Sequence, residues 1–560
     1  MPQLPRLEKS ATGMALQSGT TSNRVGRDLL FGVLLFLFTL TVFSLHWRDM
    51  LDIGEATIPA DRILQYGEVP YRDFWTLRMP GQFYLLAAVF NFFGSHLFVE
   101  AVATSIVCAL AVAGCYWFVR TITGRWALGL GAACMLEAVI SQSRYYFVHF
   151  DGYAPAILCT FAAWICYACY LKNGKTSYLV AAGLLTGAIV NFDHKACAYT
   201  VLALTAGLLV KTYAARERSP EELRPLGQEI LYLYASILLC AAPIVIYIAV
   251  VAGPDAWADI IVLPATKMLH LHAYPGLLPQ VPLEFSTAAV DGLTDYLKYM
   301  LPFLIQLAST ATIVIAIRRK DAFLAAISAA LWVAFWLHYA GAHTELNTNI
   351  MTMTAYAVAS GALLYLALEG PGRHRPRTAL LAGLLVFVWF MALSVRTGYW
   401  IVRSQTRTVA LTIPRLSGLH ATPEDAAKLE SLARFVEAHI SPNEYLYIGN
   451  HRHDAIVFND TLAYYIANRP IAVRYHELPP GLADVAEGQR EMIASLESKQ
   501  PQYIILKHIY DDGTMNRVLA DFRTRMPEIG AQDLDKYIES HYEKTESFGP
   551  FDAWKRKAKP

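Results

Sequence analysis

A polytopic α-helical membrane protein of about 11 spans, followed by a C-terminal α/β domain, is the fold class this sequence predicts, and three observations predict it. The 560 residues are 55% hydrophobic and only 17% charged, with a mean hydropathy of +0.33. The apolar residues recur in blocks of about 15 to 23, the length that crosses a hydrocarbon core of about 30 Å. Beyond Arg396 the composition becomes that of a soluble domain, in which short β-type runs alternate with amphipathic helical patterns.

A polar tail, residues 1–28, carries Arg6, Lys9, Arg24 and Arg27 before the first apolar run, Leu29 to Trp47. That run is too long for a signal-peptide core and no small-residue cleavage pattern follows it, so it is read as a retained anchor. Further runs lie at 98–119, 126–143, 153–171, 177–191, 196–210, 229–251, 297–317, 322–340, 349–368 and 378–395. Lys and Arg gather in one set of loops, at Arg120 and Arg125, Lys172 and Lys175, Lys211 to Arg224, Arg318 to Lys320 and Arg373 to Arg377. These loops are read as cytoplasmic. With an odd number of spans, the N-terminus is then expected inside and residues 396–560 outside. Gly81 to Phe93 is apolar but reaches only about 20 Å as a helix. It is read as a surface-lying or re-entrant helix, because counting it as a span would turn every later basic loop outward.

Residues 29–395 thus form a membrane domain whose first outer loop, 48–97, is large, and 396–560 an outer α/β domain. In the outer domain Thr422 precedes Asp425 at capping-box spacing. Runs at 445–449, 471–475 and 503–508 read as strands, and Asp484 to Lys499 and Asn516 to Met526 as helices. Its acids and histidines, among them His451, His453, Asp454, His476 and Glu477, form no catalytic constellation in sequence. The basic residues are scattered over short loops and the net charge is +1, which excludes a nucleic-acid surface. All eight cysteines fall in or beside apolar runs; Cys166 and Cys169 are CxxC by spacing only and are read as helix packing.

The polar residues of the membrane domain converge on the outer loops. The densest stretch, Asp52 to Gly81, carries Asp52, Glu55, Asp61, Arg62, Glu68, Arg72, Asp73 and Arg78 directly after a span. An unpaired charge in hydrocarbon costs about 2.5 to 3.5 kcal/mol on insertion scales, so the stretch is expected to sit in a wet, polar cavity. Within it PYRDFW (70–75) and MPG (79–81) lead into QFYLLAAVFNFFG, and NFDHKACAY (191–199) follows the fifth span. This order resembles the bacterial relatives of protein mannosyltransferases and lipid A aminoarabinose transferases, which have the C-type fold of membrane glycosyltransferases and use polyprenyl-phosphate sugars as donors.

The resemblance implies a general base at the acid opening the first outer loop, which here is Asp52. The family often has Asp-Glu there, whereas this chain has Asp52-Ile53, so that either Glu55 substitutes for the second acid or that acid's function is lost. The chemistry is self-consistent: a lipid phosphate is a good leaving group, so one carboxylate for deprotonation and cations for the departing phosphate suffice, with inversion at the anomeric carbon. Asp52 is otherwise a helix cap. Arg72, Arg78, Lys195 and His343 are candidates for the donor phosphate. Their structural alternatives are pairing with Asp73, contact with lipid headgroups, interfacial snorkelling and a plain loop position. Asp73, Asp151 and His194 are candidates for a sugar hydroxyl or a divalent metal ion, Asp151 equally for a helix cap. The cofactor is left open. The expected partners are a polyprenyl-phosphate sugar, an extracytoplasmic acceptor and membrane lipids, in the bacterial inner membrane. A flippase for lipid-linked saccharides and an inactive glycolipid-binding scaffold are the competing classes; no midplane charge pattern or internal repeat supports the flippase.

Overall fold

The computed structural model describes residues 13–46, 56–142, 149–150, 152–215, 225–253, 255–257, 260, 289–341, 346–369, a few positions between 390 and 402, 406–454, 459–479, 481–508 and 529–558. The membrane domain is built from α1 (Gly13–His46), α2 (Thr57–Tyr66), α3 (Gly81–Phe93), α4 (Leu97–Thr123), α5 (Trp126–Gln142), α6 (Tyr153–Asn173), α7 (Thr176–Ile189), α8 (His194–Ala215), α9 (Leu226–Tyr247), α10 (Ala289–Arg318), α11 (Ala322–Gly341) and α12 (Leu346–Glu369). Among the described residues eight helices are long and apolar enough to cross a membrane; α5 and α7 match two further expected spans but are shorter. The expected eleventh span, 378–395, lies almost wholly outside the described residues. As expected, 81–93 is a separate helix of 13 residues.

The bundle packs α8 along α11, α7 between α6 and α9, α10 against α12, and α4 against α1, α5 and α6. Trp164, Tyr116, Tyr167 and Tyr356 fill its interior, while Leu30, Leu34, Phe38, Leu238 and Leu239 face outward, as lipid contact requires. Three of its buried acids have partners: Thr39 Oγ1 donates to Glu137 at 2.7 Å, Arg120 Nε meets Asp28 at 3.1 Å, and Lys211 Nζ meets Glu229 at 2.5 Å. Such pairing is what a low-dielectric interior demands. Pro243 removes a backbone donor inside α9, and a π-turn at Ile248–Ala252 follows.

The outer domain holds a four-stranded sheet of β3 (Tyr447–Asn450), β4 (Tyr503–Lys507), β5 (Tyr542–Phe548) and β6 (Phe551–Arg556), in the order β3-β4-β6-β5; β1 (Val409–Ala410) and β2 (His420–Ala421) form a separate pair. β3 and β4 are parallel and the other pairings antiparallel. The helices are α13 (Pro423–His439), α14 (Thr461–Ala467), α15 (Ala486–Lys499) and α16 (Asp533–His541). Thr422 caps α13 as its spacing predicts, accepting from the Asp425 N–H at 3.1 Å. The expected strand at 471–475 reduces to a single bridge between Leu446 and Ile471, and the hairpin β5–β6 was not expected. The expected helix 516–526 lies outside the described residues.

The core of this domain includes three residues from the first outer loop and its exit, Ile58, Trp75 and Leu97. The wet cavity expected for the whole loop therefore needs correction. Asp61 is covered by the outer domain and pairs with Arg415 at 2.5 Å; Arg62, 2% exposed, pairs with Glu68 and lies 3.4 Å from His476 Nδ1. Partners that lie 354 residues (Arg415 from Asp61) and 414 residues (His476 from Arg62) later in sequence replace the expected water.

Candidate functional site

Three turns meet at one end of the bundle. The first is Thr76 to Gln82, held by local bonds: Tyr71 Oη donates to Arg78 O at 2.5 Å, and the Arg78 N–H donates to Thr76 Oγ1 at 3.1 Å. The second is Gly152-Tyr153, opening α6. The third is Asn191 to Lys195, where Asp193 Oδ1 accepts from the Lys195 and Ala196 N–H groups at 2.8 and 3.0 Å and so caps α8. Two glycines permit the meeting. A Cβ on Gly81 would lie 2.4 Å from Asn191 O, and one on Gly152 2.4 Å from Phe192 O and 2.7 Å from Gln82 Oε1.

At the junction the Arg78 guanidinium donates to Tyr153 Oη and lies 5.0 Å from the ring centroid. Tyr153 in turn lines a small cavity of about 10 Å³, space for about one water, with Ala156, Ile157, Thr160, Asp193, Ala196, His338 and Thr352. His338, from the last turns of α11, is buried; its Nδ1 lies 2.9 Å from Ala334 O, and its ring meets those of Tyr199 and Tyr356 edge-on. In the neutral imidazole this bond makes Nδ1 the donor and leaves the lone pair on Nε2. Gln82 is fully buried beside this junction, and neither amide atom has a hydrogen-bond partner among the described residues.

A carboxylate holds two of the polar loops together. Glu100, 1% exposed in the first turn of α4, accepts from Thr57 Oγ1 at 2.7 Å and from the Phe150 N–H at 2.9 Å. Next to Phe150, His149 is buried, which pushes its imidazole down to about 4 and keeps it neutral.

No family profile and no curated protein sequence matches the chain. Solved structures do. The apo oligosaccharyltransferase of Archaeoglobus fulgidus superposes with a TM-score of 0.51 at 13% identity, over 95% of this chain and 74% of that one. ArnT from Cupriavidus metallidurans in the apo state gives 0.50 at 11% identity, over 96% and 98%. The fold is that of the C-type membrane glycosyltransferases.

In this C-type chain the residues of the site, expected and unexpected, divide into three sets. Tyr153, Asp193 and His338 line one cavity and Arg78 reaches it through Tyr153, with His194 and Lys195 half-buried in the same turn as Asp193. Arg72 and Asp73 form their own exposed pair, with Nε to Oδ1 at 3.0 Å and Nη2 to Oδ2 at 2.7 Å. Burial works to raise the Asp73 carboxyl, but the Arg72 bonds and the Val69 N–H outweigh it and hold it below the usual carboxylate range. Asp52, Glu55, Asp151 and His343 lie outside the described residues. Sequence reasoning passed over Tyr153, His338, Thr352 and Gln82. For His338 a signal was present: an ionisable residue inside an apolar span marks function by default.

Proposed function

We propose that this protein is an inverting glycosyltransferase, a hexosyl- or pentosyltransferase that moves a sugar from a polyprenyl-phosphate donor to an extracytoplasmic acceptor. The acceptor would be a cell-envelope glycan, a lipid or a protein. The observation that carries the reading is the gathering of Arg78, Tyr153, Asp193 and His338 at one end of an apolar bundle, in the C-type fold. A donor that is half lipid and half charged fits such a place, its chain among the helices and its phosphate at their polar ends.

In this reading Asp52, with Glu55 beside it in sequence, takes the proton of the acceptor hydroxyl as that oxygen attacks the anomeric carbon. The C1–O bond to phosphate breaks on the opposite face, and the electron pair leaves with the lipid phosphate. Arg78 stabilises the departing anion, its guanidinium held in place by the Tyr153 hydroxyl and ring; Lys195, and Arg72 and His343 on the loops, supply further positive charge. The buried amide of Gln82 can satisfy sugar hydroxyls, being both donor and acceptor. Asp73, Asp151 and His194 are further contacts for sugar or a divalent cation. The chain is placed in the bacterial inner membrane with its N-terminal tail, 1–28, in the cytoplasm, membrane domain 29–395, and domain 396–560 outside.

Purified protein given a panel of polyprenyl-phosphate sugars should consume one of them only when acceptor is present. Asp52→Asn preserves shape but cannot take a proton, so turnover should fall by about 10² to 10⁴ with little change in donor binding. Near wild-type turnover in that variant would remove Asp52 from the base role, since Asn caps a helix almost as well as Asp. Consumption of no donor by the wild type would remove the transferase reading itself.

A further inference from the structure

Among the described residues, one cluster of metal-ligating side chains lies apart from the membrane cavity: His451, His508 and Asp552. The sheet puts them together. Asn450 of β3 pairs with Lys507 of β4, so the next residues, His451 and His508, stand level at the ends of two parallel strands. Backbone bonds fix them there, from the His451 N–H to Lys507 O at 2.9 Å and from the His508 N–H to Pro550 O at 2.8 Å. Leu506 pairs with Asp552 of β6, and positions two apart share a face, so the Asp552 carboxylate stands on the same face as His508.

The side chains complete what the register begins. His508 Nε2 is 2.9 Å and His451 Nε2 3.8 Å from the same oxygen, Asp552 Oδ2, and the two rings stack with centroids 4.9 Å apart at 16°. The imidazoles are exposed and the carboxylate fully buried, so the group opens to solvent on its histidine side. Ligand atoms bound at 2.0 to 2.2 Å in a tetrahedron sit about 3.3 Å from one another, so a small ring rotation brings these three within reach of one ion.

We propose that His451, His508 and Asp552 bind a single divalent transition-metal cation, Zn²⁺ foremost. Two imidazoles and one carboxylate are a borderline-soft set that selects Zn²⁺ over Mg²⁺, and three protein ligands leave a fourth position for water or a ligand. Lys544 Nζ lies 2.8 Å from Asp552 Oδ2 and Ser547 Oγ donates to Oδ1 at 2.6 Å. The lysine is half-exposed and flexible, so the cation displaces its ammonium into solvent, while Ser547 continues to orient the carboxylate.

The full chain in detergent, carrying a histidine-free tag, is stripped with EDTA and titrated with ZnCl₂ near neutral pH against a chromophoric chelator. One zinc per chain is expected at micromolar affinity or tighter. His451→Ala and His508→Ala, both surface changes, should each weaken it by about tenfold or more, and the double variant should lose the site. Lys544→Ala removes the competing ammonium and should tighten binding severalfold, a result that nonspecific histidine binding would not give. Co²⁺ should give a ligand-field spectrum that the double variant lacks. Absence of zinc binding by the wild type, or binding that the double variant retains within about twofold, overturns the proposal.

Discussion

The first outer loop has two stretches that use their charge differently. From Asp61 to Trp75 its groups face the outer domain: Asp61 meets Arg415, Arg62 meets Glu68 and His476, the Trp75 N–H donates to Arg474 O at 3.2 Å, and Arg474 donates back to Tyr71 O at 2.8 Å. From Arg78 to Gln82 the groups face the bundle, where Arg78 reaches Tyr153 and through it the cavity. A run of charges that looks like one functional patch is thus a docking surface followed by a site. Burial and partner identity separate the two; residue type does not.

The largest effect should come from the docking half. Arg415 is 12% exposed, pairs with Asp61, bonds Ser95 at 2.7 Å and lies 3.9 Å over the Tyr465 ring. Arg415→Ala leaves the buried Asp61 carboxylate without its cation, held only by Gln65 and Ser95 at 2.8 Å each, a loss of up to about 3 to 5 kcal/mol for a buried pair broken on one side. Hydrogen exchange should then rise across α2 and α14 together; protection that survives unchanged would dissolve the division. In the site half, Arg78→Ala removes a charge-assisted bond of about 1.5 to 3 kcal/mol, so donor affinity should weaken by about 10- to 100-fold while the outer domain stays protected. Arg72→Ala sharpens the contrast: an exposed pair contributes about 0 to 1 kcal/mol, so donor affinity should move by less than about fivefold. An equal loss for Arg72 and Arg78 would make Arg72 a main phosphate contact instead of an auxiliary one.

A smaller effect follows pH. Burial, with Arg62 beside it, holds the His476 imidazole well below its ordinary range, so the folded protein keeps it neutral. A group whose folded value is depressed contributes its stability above its unfolded value of about 6.5 and loses it as pH falls below that. Proteolysis at the seam between loop and outer domain should therefore rise between about pH 7 and pH 5, and His476→Gln should flatten that slope by about one proton. An unchanged slope in the variant would place the titrating group elsewhere.

The spans were legible because twenty apolar residues in a row have few other uses, and the loop with Arg78 and the Asn191–Lys195 turn stood out as polar groups at span ends. Tyr153, His338 and Thr352 did not stand out. Each is one polar residue beside or inside an apolar run, and a cavity exists only once α6, α8, α11 and α12 have packed. The hairpin Tyr542–Arg556 was passed over because the interior of β5 is exposed and polar, so it lacks the apolar alternation that marks a strand. The converse happened at 471–475, apolar enough for a strand, where Arg474 and Trp75 bond instead and the ladder stops at Ile471. His451, His508 and Asp552 are separated by about 50 residues each and meet only through strand register.

The presence of Ile58 and Trp75 in the core of the outer domain has a consequence for how the chain is made. Arg62 and His476 are 414 residues apart in sequence. At about 5 to 20 residues per second, the loop emerges roughly 20 to 80 seconds before the domain that receives it. For that interval its indole and its charges must wait at the membrane surface, and the domain, when it arrives, closes its core on a segment already there. Assembly of the two is therefore ordered in time, membrane part first, and the loop serves as the template on which the later domain condenses.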